Sequence, residues 1–282
     1  MISRILSFIR FSHTVFALPF ALGSIFVAAD RWPSLCVFFL ILLAMVFART
    51  AAMTFNRLAD WKIDQRNPRT AGRHKLISRA GACVLLVISS LAFVGTVYWI
   101  NPLCFMLSPV ALVIVFFYSL TKRFTSYSHF FLGLALGVSP VGAWLAVTGK
   151  FALAPLVLSL AVLFWVAGFD LIYATQDYDF DKKEGMHSLV VRIGIARSLV
   201  TAQWMHAAML LLLVLFGVLS HRGVMYYAGM ILIFPVLIFE HRTAQKMDIK
   251  AINRAFFNSN AFVGIVFVVA IVVDKIVIQG GV

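Results

Sequence analysis

Two short stretches hold most of the acid in this sequence, and each closes a long apolar run. The first, FNRLADWKIDQRNPRTAGRHK (55–75), sets Asn56, Asp60 and Asp64 at i, i+4 and i+8. The second, DLIYATQDYDFDKKEG (170–185), sets Tyr173, Asp177 and Asp181 at the same spacing. Residues so spaced share one face of a helix, whereas Asp179 falls on another side. Two carboxylates on one face repel each other unless something neutralises them. A hard divalent cation does this well: Mg²⁺ takes oxygen ligands, keeps several waters and is usually shared between one or two carboxylates and substrate phosphates. Two such pairs facing one another fit a metal-bridged diphosphate. Arg66, Arg69, Arg73, Lys122, Arg123, Lys182, Lys183 and Arg192 are available to balance its remaining charge. The competing reading is a solvated, salt-bridged rim. Against it, Asp60, Asp64, Asp177, Asp179, Asp181 and Glu184 make up six of the chain's eleven acids, where a rim would scatter them.

The elements that must position these residues follow from composition. The 282-residue chain is 62% hydrophobic and 12% charged, against roughly 45–50% and 25% in a soluble domain. Apolar runs of about 20 residues, enough to cross the hydrocarbon core as helix, recur nine times, at about 14–30, 34–57, 80–99, 102–120, 128–148, 153–176, 196–219, 224–240 and 257–278. The expectation is an all-α polytopic membrane protein forming a single domain over 1–282. No polar stretch is long enough for a separate soluble domain. The opening residues read as an amphipathic lead-in to the first span rather than a cleavable signal.

The net charge of +13 suggests nucleic acid at first sight, but topology accounts for it. In a nine-span arrangement with the N-terminus inside, 19 of the 24 Lys and Arg fall in inner loops and 4 in outer loops, with Arg49 inside a span. That asymmetry is the positive-inside rule. It puts the acid-bearing loops in the cytoplasm, excludes nucleic acid as the expected partner, and makes the bilayer and anionic substrates the natural ones. Cys36, Cys83 and Cys104 show no CxxC or metal-ligand spacing and read as packing residues. Arg49 and Asp170, seven residues before Asn56 and Asp177, lie within spans, where charge is costly and usually paired or functional. They either pair with each other or support the site from beneath. Pro140, in GVSP (137–140), is a helix breaker inside the fifth span.

The matched acid spacing is also a weak internal repeat. Four spans separate the two copies, so both reach the same membrane face. This predicts two pseudo-repeated four-helix units around a central cavity, plus one extra helix.

These motifs resemble the UbiA superfamily of intramembrane aromatic prenyltransferases, and the resemblance extends over nearly the whole chain. That family carries NDxxDxxxD after its second helix and DxxxD after its sixth; here they read NRLADWKID and DYDFD, the latter preceded by Tyr173. RTAGR (69–73) is similar to the family's RTxxR continuation, and YSLTKRFT, with Lys122 and Arg123, to its loop after helix four. One departure is Arg57, where relatives have their first aspartate. Another is His74-Lys75, in place of the usual proline. The form NRxxDxxxDxxNPRT looks like the 4-hydroxybenzoate polyprenyltransferase-like branch, which includes enzymes of menaquinone synthesis with a dihydroxynaphthoate acceptor.

The resemblance implies Mg²⁺-dependent transfer of a polyprenyl group from polyprenyl diphosphate to an aromatic acid in ubiquinone or menaquinone synthesis. Asp60, Asp64, Asp177 and Asp181 would be the metal ligands and, with Arg123, the catalytic set. Asn56, Arg57, Arg69, Arg73, Lys122, Tyr173, Lys183 and Arg192 would bind substrate. Arg57 has two readings: it reaches the diphosphate in place of a metal charge, or it caps a helix C-terminus. The rival classes are a transporter, which would need more charge at mid-membrane, and a CDP-alcohol phosphotransferase, whose DGxxAR pattern is absent. Within the superfamily, haem, homogentisate, chlorophyllide and glycerol phosphate are the other acceptors to weigh.

Overall fold

The computed structural model describes residues 2–9, 16–29, 31–66, 70, 72 and 75–280. Among them every regular element is a helix. Eight helices are long and apolar enough to cross a membrane, and a ninth apolar helix, α2 (Leu18–Ala28), is shorter. The nine expected spans are therefore each represented. The largest boundary shift is at the last, where α13 (Ile249–Gly280) starts well before the expected span. Large apolar side chains such as Leu91, Met106, Trp204, Leu211 and Ile231 are exposed on the helix surfaces, as lipid-facing positions must be. Cys36 and Cys83 are exposed too, and all three cysteines are free thiols. The packing role expected for those two is thus replaced by a place on the outer surface.

The chain forms two compact units, which do not divide as the sequence repeat suggests. The first comprises Met1–Thr14 and Ser34–Thr121, the second Val15–Pro33 and Lys122–Val282. The first span thus belongs with the later ones, and the long helices number three and five, with α2 joining the larger set, rather than four and four.

The first unit contains α1 (Ile2–Phe8), α3 (Leu35–Ala59), α4 (Trp61–Arg66), α5 (Arg79–Tyr98) and α6 (Pro102–Thr121). α3 packs against both α5 and α6. Hydroxyls within these helices are satisfied locally: Ser89 donates to Leu85 O at 2.7 Å and Thr96 to Ala92 O at 2.7 Å. Such back-bonding lets polar side chains persist where water is absent. Ser78 caps α5 by accepting from the Gly81 N–H at 3.1 Å.

The second unit holds α2, α7 (Ser128–Thr148), α8 (Leu153–Ala174), a 3₁₀ turn Thr175–Asp177, α9 (Tyr178–Lys183), α10 (Leu189–Ile193), α11 (Ile195–Leu219), α12 (Val224–Gln245) and α13. α8 is its most buried helix, with Leu158, Val162, Trp165, Val166 and Leu171 wholly enclosed. It packs between α7 and α11, while α2 packs on α7 and α13.

Small residues allow the α7–α8 approach: a Cβ added at Gly133 would run into the Leu163 backbone, and one at Gly137 into Ser159. Membrane helices use small residues four apart for this purpose, since lipid offers no hydrophobic drive between helices. Pro140 leaves α7 unbroken. Proline lacks the N–H that would serve Leu136 O, and the Ser139 hydroxyl donates to that carbonyl instead, at 2.8 Å. Ser24 of α2 donates to Pro140 O at 2.6 Å.

At the end of this unit opposite Asp177 and Asp181, two adjacent charges on α13 close other helices. Asp274 accepts from the N–H groups of Gly223 and Tyr226 at the start of α12, at 2.9 and 3.3 Å. Lys275 Nζ donates to Phe26 O and Ala29 O at the end of α2, at 2.8 and 2.5 Å. An anion at a helix N-terminus and a cation at a C-terminus each meet the favourable end of the backbone dipole.

Gly133→Ala should lower the melting temperature of the detergent-solubilised protein, because overpacking a tight contact costs about 1–3 kcal/mol. Gly142→Ala, where nothing lies within 4 Å of the new Cβ, should leave the melting temperature unchanged or raise it, since alanine is favoured in helices by up to about 1 kcal/mol.

Candidate active site

The repeat seen in sequence is a repeat in local structure. α3 ends at Ala59, Asp60 occupies its C-cap, and the six-residue α4 follows. α8 ends at Ala174, the 3₁₀ turn closes at Asp177, and the six-residue α9 follows. In each unit an apolar helix thus breaks at an aspartate and resumes for six residues carrying the next one. Neither break disrupts the chain's course. The Asp60 N–H still donates to Asn56 O at 2.9 Å, and the Asp64 N–H to Asp60 O at 2.8 Å.

In the first unit Asn56, Asp60 and Asp64 are half-buried. Asn56 Nδ2 donates to Asp60 Oδ2 at 3.4 Å. Arg57 has partners that neither reading of the sequence anticipated. It is 6% exposed; Nη1 lies 3.6 Å from Asp64 Oδ2 and 3.5 Å from Asn56 Oδ1, and Nε donates to Phe8 O at 3.4 Å. This guanidinium thus links the end of α1 to the acid face. Phe8 and Ile9 anchor that end by burial against Ala82, Met53, Leu58 and Trp61. Thr70 is buried and donates to Asp64 O at 2.9 Å. Arg69 and Arg73 lie outside the described residues.

In the second unit Asp177 and Asp181 are half-buried and Asp179 is exposed, the separation their spacing implies. Asp177 stands at the N-cap of α9 but makes no capping bond with its side chain. Lys122 and His129 act electrostatically on Asp181. Lys122, Arg123, Lys183 and Arg192 are exposed. Arg192 Nη1 donates to Tyr127 OH at 3.4 Å, with its guanidinium 5.7 Å from that ring's centroid. Tyr173 is half-buried, its ring 4.8 Å from that of Phe256.

Asp170 pairs with His129, whose Nδ1 is 2.6 Å from its Oδ2, so it has a partner within its own unit. Sequence reasoning missed His129. The usable signal was an imidazole at the start of an apolar span, where ionisable groups are usually functional.

The donor set suits a hard cation. The paired acids supply oxygen, and Asn56 adds an amide. Within each unit, among the described residues, no three His, Cys, Asp or Glu side chains gather to hold a metal unaided.

Residues 17–265 match the UbiA prenyltransferase family. The chain is 30% identical to the 4-hydroxybenzoate octaprenyltransferase of Methylobacillus flagellatus over 88% of its length and 84% of that protein's. It is likewise 30% identical to the enzyme of that name from Shewanella woodyi, over 91% and 90%. Among solved structures, a UbiA homologue from Aeropyrum pernix superposes with a TM-score of 0.83 at 30% identity, covering 93% of this chain and 98% of that one. A UbiA homologue from Archaeoglobus fulgidus, solved with geranyl diphosphate and Mg²⁺, shares the fold with a TM-score of 0.73 at 22% identity, over 96% and 99%. Acid-bearing helix breaks in two apolar helical units, and similarity running through almost the entire sequence, lead to one conclusion: the chain is an integral membrane protein of the UbiA prenyltransferase family.

Proposed function

We propose that this protein transfers a polyprenyl group from polyprenyl diphosphate to an aromatic acid of the 4-hydroxybenzoate type, in a Mg²⁺-dependent reaction of quinone biosynthesis. The observation that carries this reading is the twin helix break, each placing two half-buried aspartates four residues apart at the end of an apolar helix. Relatives named 4-hydroxybenzoate octaprenyltransferase at 30% identity support the acceptor and a long prenyl chain.

In this reading Asp60 and Asp64 in the first unit, and Asp177 and Asp181 in the second, hold the metal. Bound Mg²⁺ would supply charge stabilisation for the departing diphosphate. Lys122, Lys183, Arg192, Arg69 and Arg73 bind diphosphate oxygens and neutralise what the acids and metal leave over. Arg123 steers the aromatic carboxylate or the diphosphate. Asn56 and Tyr173 orient the acids and the substrate. The apolar helices receive the prenyl chain and keep water from the allylic carbon as its C–O bond breaks. The acceptor ring then attacks that carbon ortho to its hydroxyl. Arg57 acts through Asp64: its guanidinium fixes that carboxylate and balances part of its charge. The acid-bearing loops face the cytoplasm of a bacterial inner membrane, as the distribution of Lys and Arg implies.

Asp60→Asn and Asp177→Asn should each reduce prenyl transfer to below about one hundredth of wild type, as expected for electrostatic groups acting on the leaving group. Both should retain the wild-type elution profile in detergent. EDTA should stop the reaction and added Mg²⁺ should restore it. The assay is product formation from a radiolabelled prenyl diphosphate, with 4-hydroxybenzoate and dihydroxynaphthoate compared as acceptors. Transfer to neither would refute the reading.

Arg57→Ala should lower stability by about 1–3 kcal/mol, because it strands polar partners that are largely shielded from water. Arg57→Lys should recover only part of this, since an ammonium lacks the planar fork. Thermal melts in detergent measure both. A cysteine introduced beside Lys183 should resist impermeant maleimide applied outside intact cells and react after permeabilisation.

A further inference from the structure

We propose that His129 and Asp170 form a proton-accepting dyad serving the aromatic acceptor. The proposal rests on the prenyl-transfer reading above. Both residues belong to the second unit. Asp170 lies on α8, seven residues before Asp177, and His129 is the second residue of α7. Their contact of 2.6 Å between Oδ2 and Nδ1 is shorter than an ordinary N–H···O bond. An ionised carboxylate only accepts, so Nδ1 carries the hydrogen, and in the neutral ring Nε2 holds a lone pair. That nitrogen is enclosed and has no hydrogen-bond partner, on a residue 1% exposed.

An orphaned buried nitrogen costs roughly 1–3 kcal/mol, so a fold that only needed an apolar contact here would gain by replacing it. A carboxylate that fixes one imidazole nitrogen and leaves the other as acceptor is the arrangement by which proteins build a general base. Asp170 on α8 is bonded to His129, and Asp181 on α9 interacts with it electrostatically; Lys122, just ahead of α7, acts on the same Asp181.

The chemistry calls for such a group. The allylic C–O bond breaks and its electron pair leaves with diphosphate. The ring carbon ortho to the phenol donates a pair to the allylic carbon, forming the new C–C bond. As it does so the hydroxyl proton passes to His129 Nε2, leaving a neutral ring ketone. The ring carbon then loses its hydrogen to water and Nε2 returns its proton to the oxygen, restoring the aromatic phenol. One proton is released for each bond formed. His129 is thus the proton acceptor and Asp170 the positioning residue that sets its tautomer.

The test compares wild type, His129→Gln and Asp170→Asn as full-length protein in lipid nanodiscs. His129→Gln should bind a non-hydrolysable prenyl thiodiphosphate with Mg²⁺ within about twofold of wild type, while kcat for transfer falls by about a hundredfold or more. Asp170→Asn should fall by a smaller factor. A phenol that ionises unaided no longer needs the dyad. The deficit of His129→Gln should therefore shrink about tenfold per pH unit as the acceptor approaches its own pKa. It should shrink likewise with 3-fluoro-4-hydroxybenzoate, whose hydroxyl is more acidic. A His129→Gln enzyme with wild-type kcat would overturn the proposal, as would a deficit indifferent to pH and to phenol acidity, which would mark a merely structural pair. Loss of thiodiphosphate binding in His129→Gln would also overturn it. Failure of wild type to prenylate either phenol would instead refute the underlying transfer reading.

Discussion

Hydrocarbon leaves no backbone donor or acceptor unsatisfied, and this constraint governs where the chain can change direction and where it can carry charge. Inside the spans the helices stay intact, even at Pro140, where a neighbouring serine serves the carbonyl that proline abandons. The chain breaks only where apolar sequence gives way to polar, after Ala59 and after Ala174. Both breaks fall at an aspartate, and both resume as a six-residue helix bearing the next one. A helix break at the polar end of a span leaves the acid half-buried.

The same constraint explains the treatment of charges deeper in the units. Asp170 is bound by His129, Asp274 sits on the first amides of α12, Lys275 on the last carbonyls of α2, and Glu240 takes a hydrogen bond from Asn260 at 3.1 Å. Each of these four groups has at least one named partner, as the cost of burying charge requires. Asp274 and Lys275 lend their charges to helix ends and so serve the fold. The His129–Asp170 pair leaves His129 Nε2 over, as Glu240 leaves its Oε2.

Much of the fold was legible in the sequence because a membrane span has a length and a composition, and both can be read without tertiary information. The site was legible in part. The i, i+4 spacing of Asp60–Asp64 and Asp177–Asp181 survives into the structure because short helices follow each break. Asp179 is exposed, as its different angular position requires. The division of the helices was not legible. A repeat in motif suggested two sets of four, yet α2 packs with the later helices through small residues and a serine–carbonyl bond. Such contacts depend on shape and leave no mark in hydropathy.

Arg57 shows the same limit at a single residue. Its position beside Asn56 fixed its angle on the helix, about a hundred degrees from the acid face. A guanidinium on a three-carbon stem reaches well past its own angle, and what it meets depends on where α1 returns, which hydropathy does not state. His129 is 41 residues from Asp170, a separation no spacing rule connects. The sequence by itself determined that the chain is helical, spans a membrane and carries two acid clusters of matched register, because these follow from local periodicity and composition. Tertiary structure alone decided that Arg57 holds Asp64, that Asp170 holds His129, and which helices share a unit, because side-chain reach and helix packing join residues that lie far apart along the chain.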